Sequence, residues 1–190
     1  MPVLGFDIDG VITAEGQGEN NIWYKNLKEY FGKDFKKIKN SYDFAEAFNL
    51  SAAELDEFMT ENLARIYSSV PPSLEARNTL EELKKQENRI VLITARDEKF
   101  REITENWLAR NDFIFDKLYH TDNKGFLAAR EEIKVFVDDH KENASDLMKN
   151  NIPVLLYTRY HNLDATSDMY YKRVEDWEEI NRIIKKEFLS

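Results

Sequence analysis

Residues 5–11, Gly-Phe-Asp-Ile-Asp-Gly-Val, follow the apolar residues Val3 and Leu4 and are the most informative stretch of the chain for its fold. A short apolar run that ends in carboxylates and a glycine is typical of a buried strand entering a turn. Alternate side chains of a strand point to the same side, so Asp7 and Asp9 project together if the extended geometry persists. Two aspartates this close repel each other unless a cation or a shared proton lies between them. The pair therefore indicates a magnesium site, with a merely charged strand end as the alternative.

The composition of the 190 residues limits the classes of protein to which the chain can belong. The length predicts one domain, or one domain with a sizeable insertion. The absence of cysteine excludes disulfides, cysteine–zinc sites and thiol catalysis. A net charge of −9 disfavours partners such as nucleic-acid polymers and anionic membranes, which require positive charge. No apolar run can cross a bilayer and no secretory signal is visible, so we expect a cytoplasmic protein whose oligomeric state stays open.

Short apolar runs alternate with helical patterns along much of the chain. The predicted strands are residues 3–6, 90–93, 134–137 and 154–157, with a weaker run at 115–119. The predicted helices are residues 75–86, 99–111, 124–132, 142–150 and 176–188. Alternation of this kind predicts an α/β fold, a Rossmann-like parallel sheet with helices on both faces.

Residues 14–70 break this alternation, because they show helical patterns and no clear strand. A helix is predicted to begin at Ser51, with Glu54 completing a capping box, and the segment ends at Pro71-Pro72. We therefore predict a small helical cap of residues 14–70, inserted after the first strand of a core made of residues 1–13 and 71–190. Its aromatic side chains either pack inside the cap or contact a substrate. The candidates for substrate contact are Trp23, Tyr24, Phe44 and Phe48.

Further polar residues lie where predicted strands end or helices begin. They are Thr94, Ala95 and Arg96 after the strand at 90–93, Lys124 at a helix start, and Asp138 and Asp139 after the strand at 134–137. Each feature alone is a common turn or cap. Because open parallel sheets bind ligands beyond the carboxyl ends of their strands, we expect these residues to share one site.

Residues of these types would support phosphoryl transfer through an aspartyl phosphate. An aspartate carboxylate is a covalent nucleophile for phosphate, and bound Mg²⁺ neutralises the charge of both reactants. A hydroxyl, neighbouring backbone N–H groups and a lysine, such as Thr94, Ala95 and Lys124, can hold the phosphate oxygens. A second aspartate can protonate the leaving alcohol and then activate water.

Four motifs in this order resemble the haloacid dehalogenase (HAD) superfamily of phosphohydrolases. They are Asp7-Ile8-Asp9-Gly10-Val11, Thr94 in Ile93-Thr94-Ala95-Arg96, Lys124, and Val137-Asp138-Asp139. The first motif, the aromatic-rich cap, the Thr-Ala-Arg sequence and Asn106-Trp107-Leu108 are also similar to the 5′(3′)-deoxyribonucleotidase group and its bacterial relatives. The resemblance implies a Rossmann-like sheet with a cap inserted after the first motif.

The resemblance also implies roles for these residues. Asp7 matches the nucleophile and a metal ligand, whereas Asp9 matches the general acid/base, with its carbonyl oxygen on the metal. Thr94 and Lys124 match the pair that holds phosphate. Asp139 is favoured as the further metal ligand and Asp138 is the second choice. Arg96 has no fixed role in the superfamily, so it either binds phosphate or forms a surface ion pair with Asp97 or Glu98.

The predicted function is magnesium-dependent hydrolysis of a phosphomonoester, with a (deoxy)nucleoside monophosphate as the substrate. The alternatives are a phosphatase or phosphotransferase for a sugar phosphate or another small metabolite, and a ligand-binding protein with a degenerate site. For a sugar, Asn20, Asn21 and Asn40 would supply hydroxyl-binding groups. A dehalogenase would need neither Asp9 nor the later acidic pair. A response-regulator receiver domain would place its lysine after all of its acidic residues.

Overall fold

A computed structural model describes residues 1–32, 34–163 and 171–189. The strands are β1 Val3–Phe6, β2 Arg89–Thr94, β3 Lys117–His120, β4 Ile133–Asp138, β5 Val154–Tyr157 and β6 Tyr171–Val174. The helices are α1 Ile22–Phe31, α2 Phe44–Phe48, α3 Ala52–Ser69, α4 Leu74–Lys85, α5 Arg101–Arg110, α6 Lys124–Arg130, α7 Lys141–Lys149 and α8 Trp177–Ile183. No helix in these ranges is both long and apolar enough to span a membrane.

The six strands form one parallel sheet in the order β3-β2-β1-β4-β5-β6. The predicted α/β fold is therefore confirmed. Side chains of β1 and β2 alternate between two hydrophobic clusters: Leu4 and Leu92 join one, and Val3 and Val91 join the other. Both faces of the sheet are thus covered, which explains why its strands read as continuous apolar runs.

Strand β6 was not predicted from the sequence. Its residues Tyr-Lys-Arg-Val include two cations, and only Val174 is buried. Among the residues that the structure describes, the strand pairs with β5 alone and forms the edge of the sheet. An edge strand of this kind lacks the apolar run that identifies the central strands, and charged side chains on an edge discourage pairing with other chains.

Residues 14–70 leave the sheet and return to it at adjacent points. The amide of Ala14 donates to the carbonyl of Pro71 at 2.7 Å, and the amide of Ser73 donates to that of Ile12 at 3.0 Å. Helices α1–α3 pack around a third hydrophobic cluster that includes Leu27 and Phe58. We call residues 14–70 the helical segment; its assignment as a separate cap domain stays a prediction.

The predicted start of α3 is present in the structure. The hydroxyl of Ser51 accepts from the amide of Glu54 at 3.3 Å, and a Glu54 carboxylate oxygen accepts from the Ser51 amide at 2.9 Å. At the other end, the indole N–H of Trp107 on α5 donates to the carbonyl of Val70 at 2.7 Å. The C-terminal end of α3 is thereby fixed to the helices that cover the sheet.

Candidate active site

Three neighbouring strands bring the predicted polar residues to one edge of the sheet. The central strand β1 lies between β2 and β4, and Asp7 follows it directly. The amide of Asp7 donates to the carbonyl of Val137 on β4 at 2.9 Å. Thr94 is the last residue of β2, and Asp138 is the last residue of β4. All three side chains are buried at the carboxyl ends of adjacent strands, as the sequence predicts.

Lys124 connects two of these strand ends. It begins α6 and is completely buried, with its Nζ 2.8 Å from Asp7 Oδ1 and 2.7 Å from Asp138 Oδ2. Burial alone would lower the pKa of Lys124, but Asp138 and Asp7 outweigh it and raise that pKa above its ordinary value. The ammonium group therefore stays charged at physiological pH and supplies fixed positive charge beside Asp7.

The carboxylates at this edge outnumber the cation that neutralises them. One oxygen atom from each of Asp7, Asp138 and Asp139 lies within 4.8 Å of the other two, and all three residues are buried. Burial raises the pKa of Asp7 well above its usual range; Lys124 opposes this, and the two neighbouring carboxylates add to it. A buried, oxygen-only donor set with excess negative charge fits Mg²⁺. These side chains are therefore the ones that could hold the predicted metal.

Gly10 shapes the turn that carries Asp9 past the end of β1. It has a positive φ of 72°, and a Cβ atom at this position would clash with Asp139 Oδ2. Its amide donates to Thr13 Oγ1 at 2.9 Å, and its carbonyl oxygen accepts from Arg159 Nε at 2.6 Å. Glycine is needed here both for the backbone angle and for the close approach of Asp139.

Asp138 and Asp139 differ in their hydrogen-bond partners. Beside its contact with Lys124, Asp138 accepts from the amide of His140 at 2.8 Å and from the side-chain amide of Asn143 at 3.2 Å. Asp139 Oδ2 lies 3.3 Å from His161 Nε2. Since the lone pairs of Asp138 are largely taken by protein donors, the geometry favours Asp139 as the direct metal ligand.

We predict that Asp139→Asn weakens Mg²⁺ binding more than Asp138→Asn does. Loss of a residue that only supports the ligands lowers metal affinity by about 10–100-fold, so Asp138→Asn should fall in this range and Asp139→Asn beyond it. Both substitutions keep the shape of the side chain and remove its charge. Calorimetric titration with Mg²⁺ compares the two variants directly, and the reverse order would identify Asp138 as the ligand.

Arg96 is paired with Asp9 and not with the surface partners that one of its two predicted roles requires; the other role, phosphate binding, stays a prediction. Its Nε lies 2.8 Å from Asp9 Oδ2 and its Nη2 lies 2.7 Å from Asp9 Oδ1, in a two-pronged ion pair. The expected surface partners are engaged elsewhere: Asp97 caps a turn by accepting from the amide of Lys99, and Glu98 pairs with Arg101. The surface ion pair is therefore not formed. No sequence pattern predicts the Asp9 contact, because the partners are 87 positions apart in the chain.

A cavity of about 690 Å³ lies between the strand ends and the helical segment. Asp9 and Asp139 line its floor, and Trp23 and Phe44 line its wall. Of the other predicted aromatic residues, Tyr24 and Phe48 are outside this lining and stack on each other at 5.5 Å. Several further residues that line the cavity were not predicted from the sequence: Glu15, Tyr42, Tyr67, His140, Tyr160 and His161.

The cavity is rich in carboxylates. Beside the catalytic candidates, its lining includes Glu15, Asp43, Glu46 and Glu142 and, within the described ranges, neither lysine nor arginine. Burial, followed by repulsion from Asp9 and Asp139, raises the pKa of Glu15 to about 7. Three nearby cations are paired: Lys124 with aspartates, Arg96 with Asp9, and Lys39 with Glu46 at 2.8 Å. The space beyond the strand ends is therefore aromatic and acidic.

Comparisons with known proteins agree with this architecture. The chain is 30% identical over 178 residues to the Bacillus subtilis protein "Putative nucleotidase YqfW", an alignment that covers 92% of this chain and 89% of the relative. No family model matches the chain.

Solved structures share the fold. One is a HAD-superfamily hydrolase from Geobacter sulfurreducens, with a TM-score of 0.61, 13% identity, and coverage of 96% of this chain and 99% of that one. Another is a D,D-heptose bisphosphate phosphatase from B. bronchiseptica complexed with magnesium and phosphate, with a TM-score of 0.58, 12% identity, and coverage of 98% and 99%.

Proposed function

This chain belongs to the HAD superfamily of phosphohydrolases and is a phosphatase with nucleotidase relatives. We therefore propose that it hydrolyses nucleoside monophosphates through an aspartyl phosphate on Asp7. One observation carries the proposal: buried Asp7 lies beside Lys124 and two further carboxylates, one of which, Asp139, lines an aromatic cavity. A Mg²⁺ ion held by Asp7, Asp139 and the Asp9 carbonyl would neutralise charge on the phosphoryl group.

Different side chains carry out nucleophilic attack, proton transfer and binding of the phosphoryl group. The Asp7 carboxylate attacks phosphorus, the bond from phosphorus to the leaving oxygen breaks, and Asp9 gives that oxygen a proton. Asp9 then takes a proton from water, which attacks the phosphorus of the aspartyl phosphate and releases inorganic phosphate and Asp7. Lys124, the Thr94 hydroxyl and the Ala95 N–H hold the phosphoryl oxygens through both steps.

The cavity walls favour a nucleoside as the leaving group. A nucleoside is uncharged and carries a flat base, and stacking of a base on an aromatic side chain is worth about 1–3 kcal/mol in single-strand binders. Trp23 and Phe44 lie 5.3 Å apart by ring centroids and both line the cavity. The carboxylates that surround them would repel a leaving group with a second negative charge.

The sugar-phosphate alternative finds less support in the described lining. Asn20, Asn21 and Asn40 are absent from it. The side chain of Asn21 is used inside the protein, because its oxygen accepts from the amide of Tyr24 at 3.1 Å and its nitrogen donates to the carbonyl of Gly16 at 3.3 Å. The buried Asn21 amide therefore caps α1 and is not available for substrate hydroxyls.

Phosphate release from a panel of phosphomonoesters tests the proposal. The panel contains deoxyribonucleoside and ribonucleoside monophosphates, sugar phosphates and an aryl phosphate, each assayed with Mg²⁺ and with a chelator. We expect activity only with the metal and the highest kcat/KM for nucleotides. A higher value for sugar phosphates, or no preference over the aryl phosphate, would contradict the nucleotidase proposal and leave the phosphatase intact.

We also predict that Glu15 discriminates against anionic leaving groups. Uridine monophosphate and orotidine monophosphate form a suitable pair, since the second differs by one carboxylate on the base. In assays at about pH 8.5, above the Glu15 pKa of about 7, Glu15→Gln removes one repelling charge and should raise the relative kcat/KM for the carboxylated substrate by about 5–30-fold. Asp56→Asn, an exposed change on α3, is the control. An unchanged ratio in Glu15→Gln would show that Glu15 does not face the leaving group.

A further inference from the structure

Arg96 is the buried cation that faces the proposed acid/base. Its side chain is 0% exposed, whereas the side chain of its partner Asp9 is 27% exposed and lines the cavity. An arginine that meets a carboxylate with two parallel N–H groups fixes the plane of that carboxylate as well as its distance. Asp9 lies on a turn beyond the end of β1, outside the hydrogen-bond ladder of the sheet. Its orientation therefore depends on this contact.

Arg96 is itself held from two sides. Its guanidinium carbon lies 4.0 Å from the centre of the Tyr67 ring on α3, a cation–π distance. On the other side, Nη1 donates to Thr104 Oγ1 on α5 at 3.3 Å, and that hydroxyl donates to the carbonyl of Phe100 at 3.0 Å. Arg96, which contacts Asp9, is thus held between α3 of the helical segment and α5, one of the helices that cover the sheet.

We propose that Arg96 is a positioning residue, which holds Asp9 with one face of its carboxylate aimed at the leaving oxygen of the substrate. This inference rests on the proposed acid/base role of Asp9. The two-pronged contact uses two of the roughly four lone-pair sites of a carboxylate, so the others stay open toward the cavity. Three donor groups of Arg96 are committed to Asp9 and Thr104. Because these donors bind protein atoms, the proposed role of Arg96 differs from that of Lys124, which holds the phosphoryl group itself.

The test compares leaving groups that do and do not need a proton. Arg96→Lys keeps the positive charge and removes the fork that fixes the plane of Asp9. A misplaced acid should lower kcat/KM, which reports formation of the aspartyl phosphate and not its later hydrolysis, for an alkyl phosphate such as a deoxyribonucleotide by up to the 10²–10⁴-fold that acid–base catalysis typically contributes. The kcat/KM for dinitrophenyl phosphate, whose leaving group needs no proton, should fall far less. Arg101→Lys, in an exposed ion pair on the same connection, should leave the ratio of the two activities unchanged.

A second variant and a reference variant make the outcomes decisive. Thr104→Val removes one support of Arg96 while the two-pronged contact stays, so the activity ratio should move in the same direction by a smaller factor. Asp9→Asn shows the full effect of losing the acid. One contrary outcome is that Arg96→Lys and Thr104→Val fold but lose both activities equally, while Asp9→Asn loses mainly the activity on the alkyl phosphate. That result would overturn the positioning role of Arg96 and leave the acid/base role of Asp9 intact. Equal losses in Asp9→Asn would remove the acid/base role, and the inference with it.

Discussion

Asp7→Asn is expected to abolish turnover while the protein stays folded. The amide keeps the shape of the carboxylate but removes the charge that attacks phosphorus, and loss of a covalent nucleophile lowers kcat by about 10⁶-fold in well-studied hydrolases. The variant should also fail to trap radioactive phosphate on the protein when a labelled substrate is quenched in acid. The substitution removes one of two carboxylates paired with Lys124, but Asp138 stays 2.7 Å from that lysine and the repulsion among neighbouring carboxylates is relieved, so we expect no large loss of stability.

Steady-state kinetics and acid-quench labelling check this result together. Asp56→Asn makes the same chemical change at an exposed position on α3 and should retain full activity. Near-native turnover by Asp7→Asn would refute the aspartyl-phosphate mechanism as a whole. A variant that lost turnover yet still trapped phosphate would instead move the nucleophile to another residue.

Lys124→Met should produce the largest loss of stability. The substitution removes the buried cation that lies 2.8 Å from Asp7 and 2.7 Å from Asp138, and leaves their carboxylates without a partner. Breaking a buried ion pair from one side costs about 3–5 kcal/mol in the free energy of unfolding. Activity should disappear as well, because the group that holds the phosphoryl oxygens is gone.

Chemical denaturation with and without Mg²⁺ measures this effect. Lys85→Met removes a lysine from an exposed pair with Glu81, which should cost less than about 1 kcal/mol. Mg²⁺ should restore part of the stability of Lys124→Met, because a cation that binds only the folded state stabilises it by mass action. If Lys124→Met unfolded at the same denaturant concentration as Lys85→Met, the carboxylate cluster would not depend on this cation.

The elements that the sequence predicts well are those whose signals are local. The strand β1 reads as an apolar run that ends in carboxylates, and its glycine turn is found where expected. Asp7, Thr94 and Asp138 fall together because parallel strands end at a common edge, so strand prediction alone brings them close. Lys124 could be included because it begins a predicted helix, and the structure places it between two of these strand ends.

The parts that the sequence did not predict depend on how distant elements pack. The contact of Arg96 with Asp9 joins two strand ends, but which polar side chain turns toward which is set by the neighbours, here Tyr67 and Thr104. The positions of Glu15 and Tyr160 in the cavity follow from the way the helical segment lies over the sheet. No periodicity encodes that arrangement. For the same reason, the aromatic content of residues 14–70 predicted contact with the substrate for Tyr24 as readily as for Trp23.

The order of strands in the sheet has a consequence for synthesis on the ribosome. The strand β1 is made first, yet it lies at the centre, and its neighbour β4 is translated only after β2 and β3. Until β4 emerges, one side of β1 is an unpaired apolar edge, which is the kind of surface that associates wrongly with other nascent chains. A chain released before residue 133 should therefore aggregate, and this edge of β1 should be covered only by the pairing with β4 that also brings Asp7 close to Asp138.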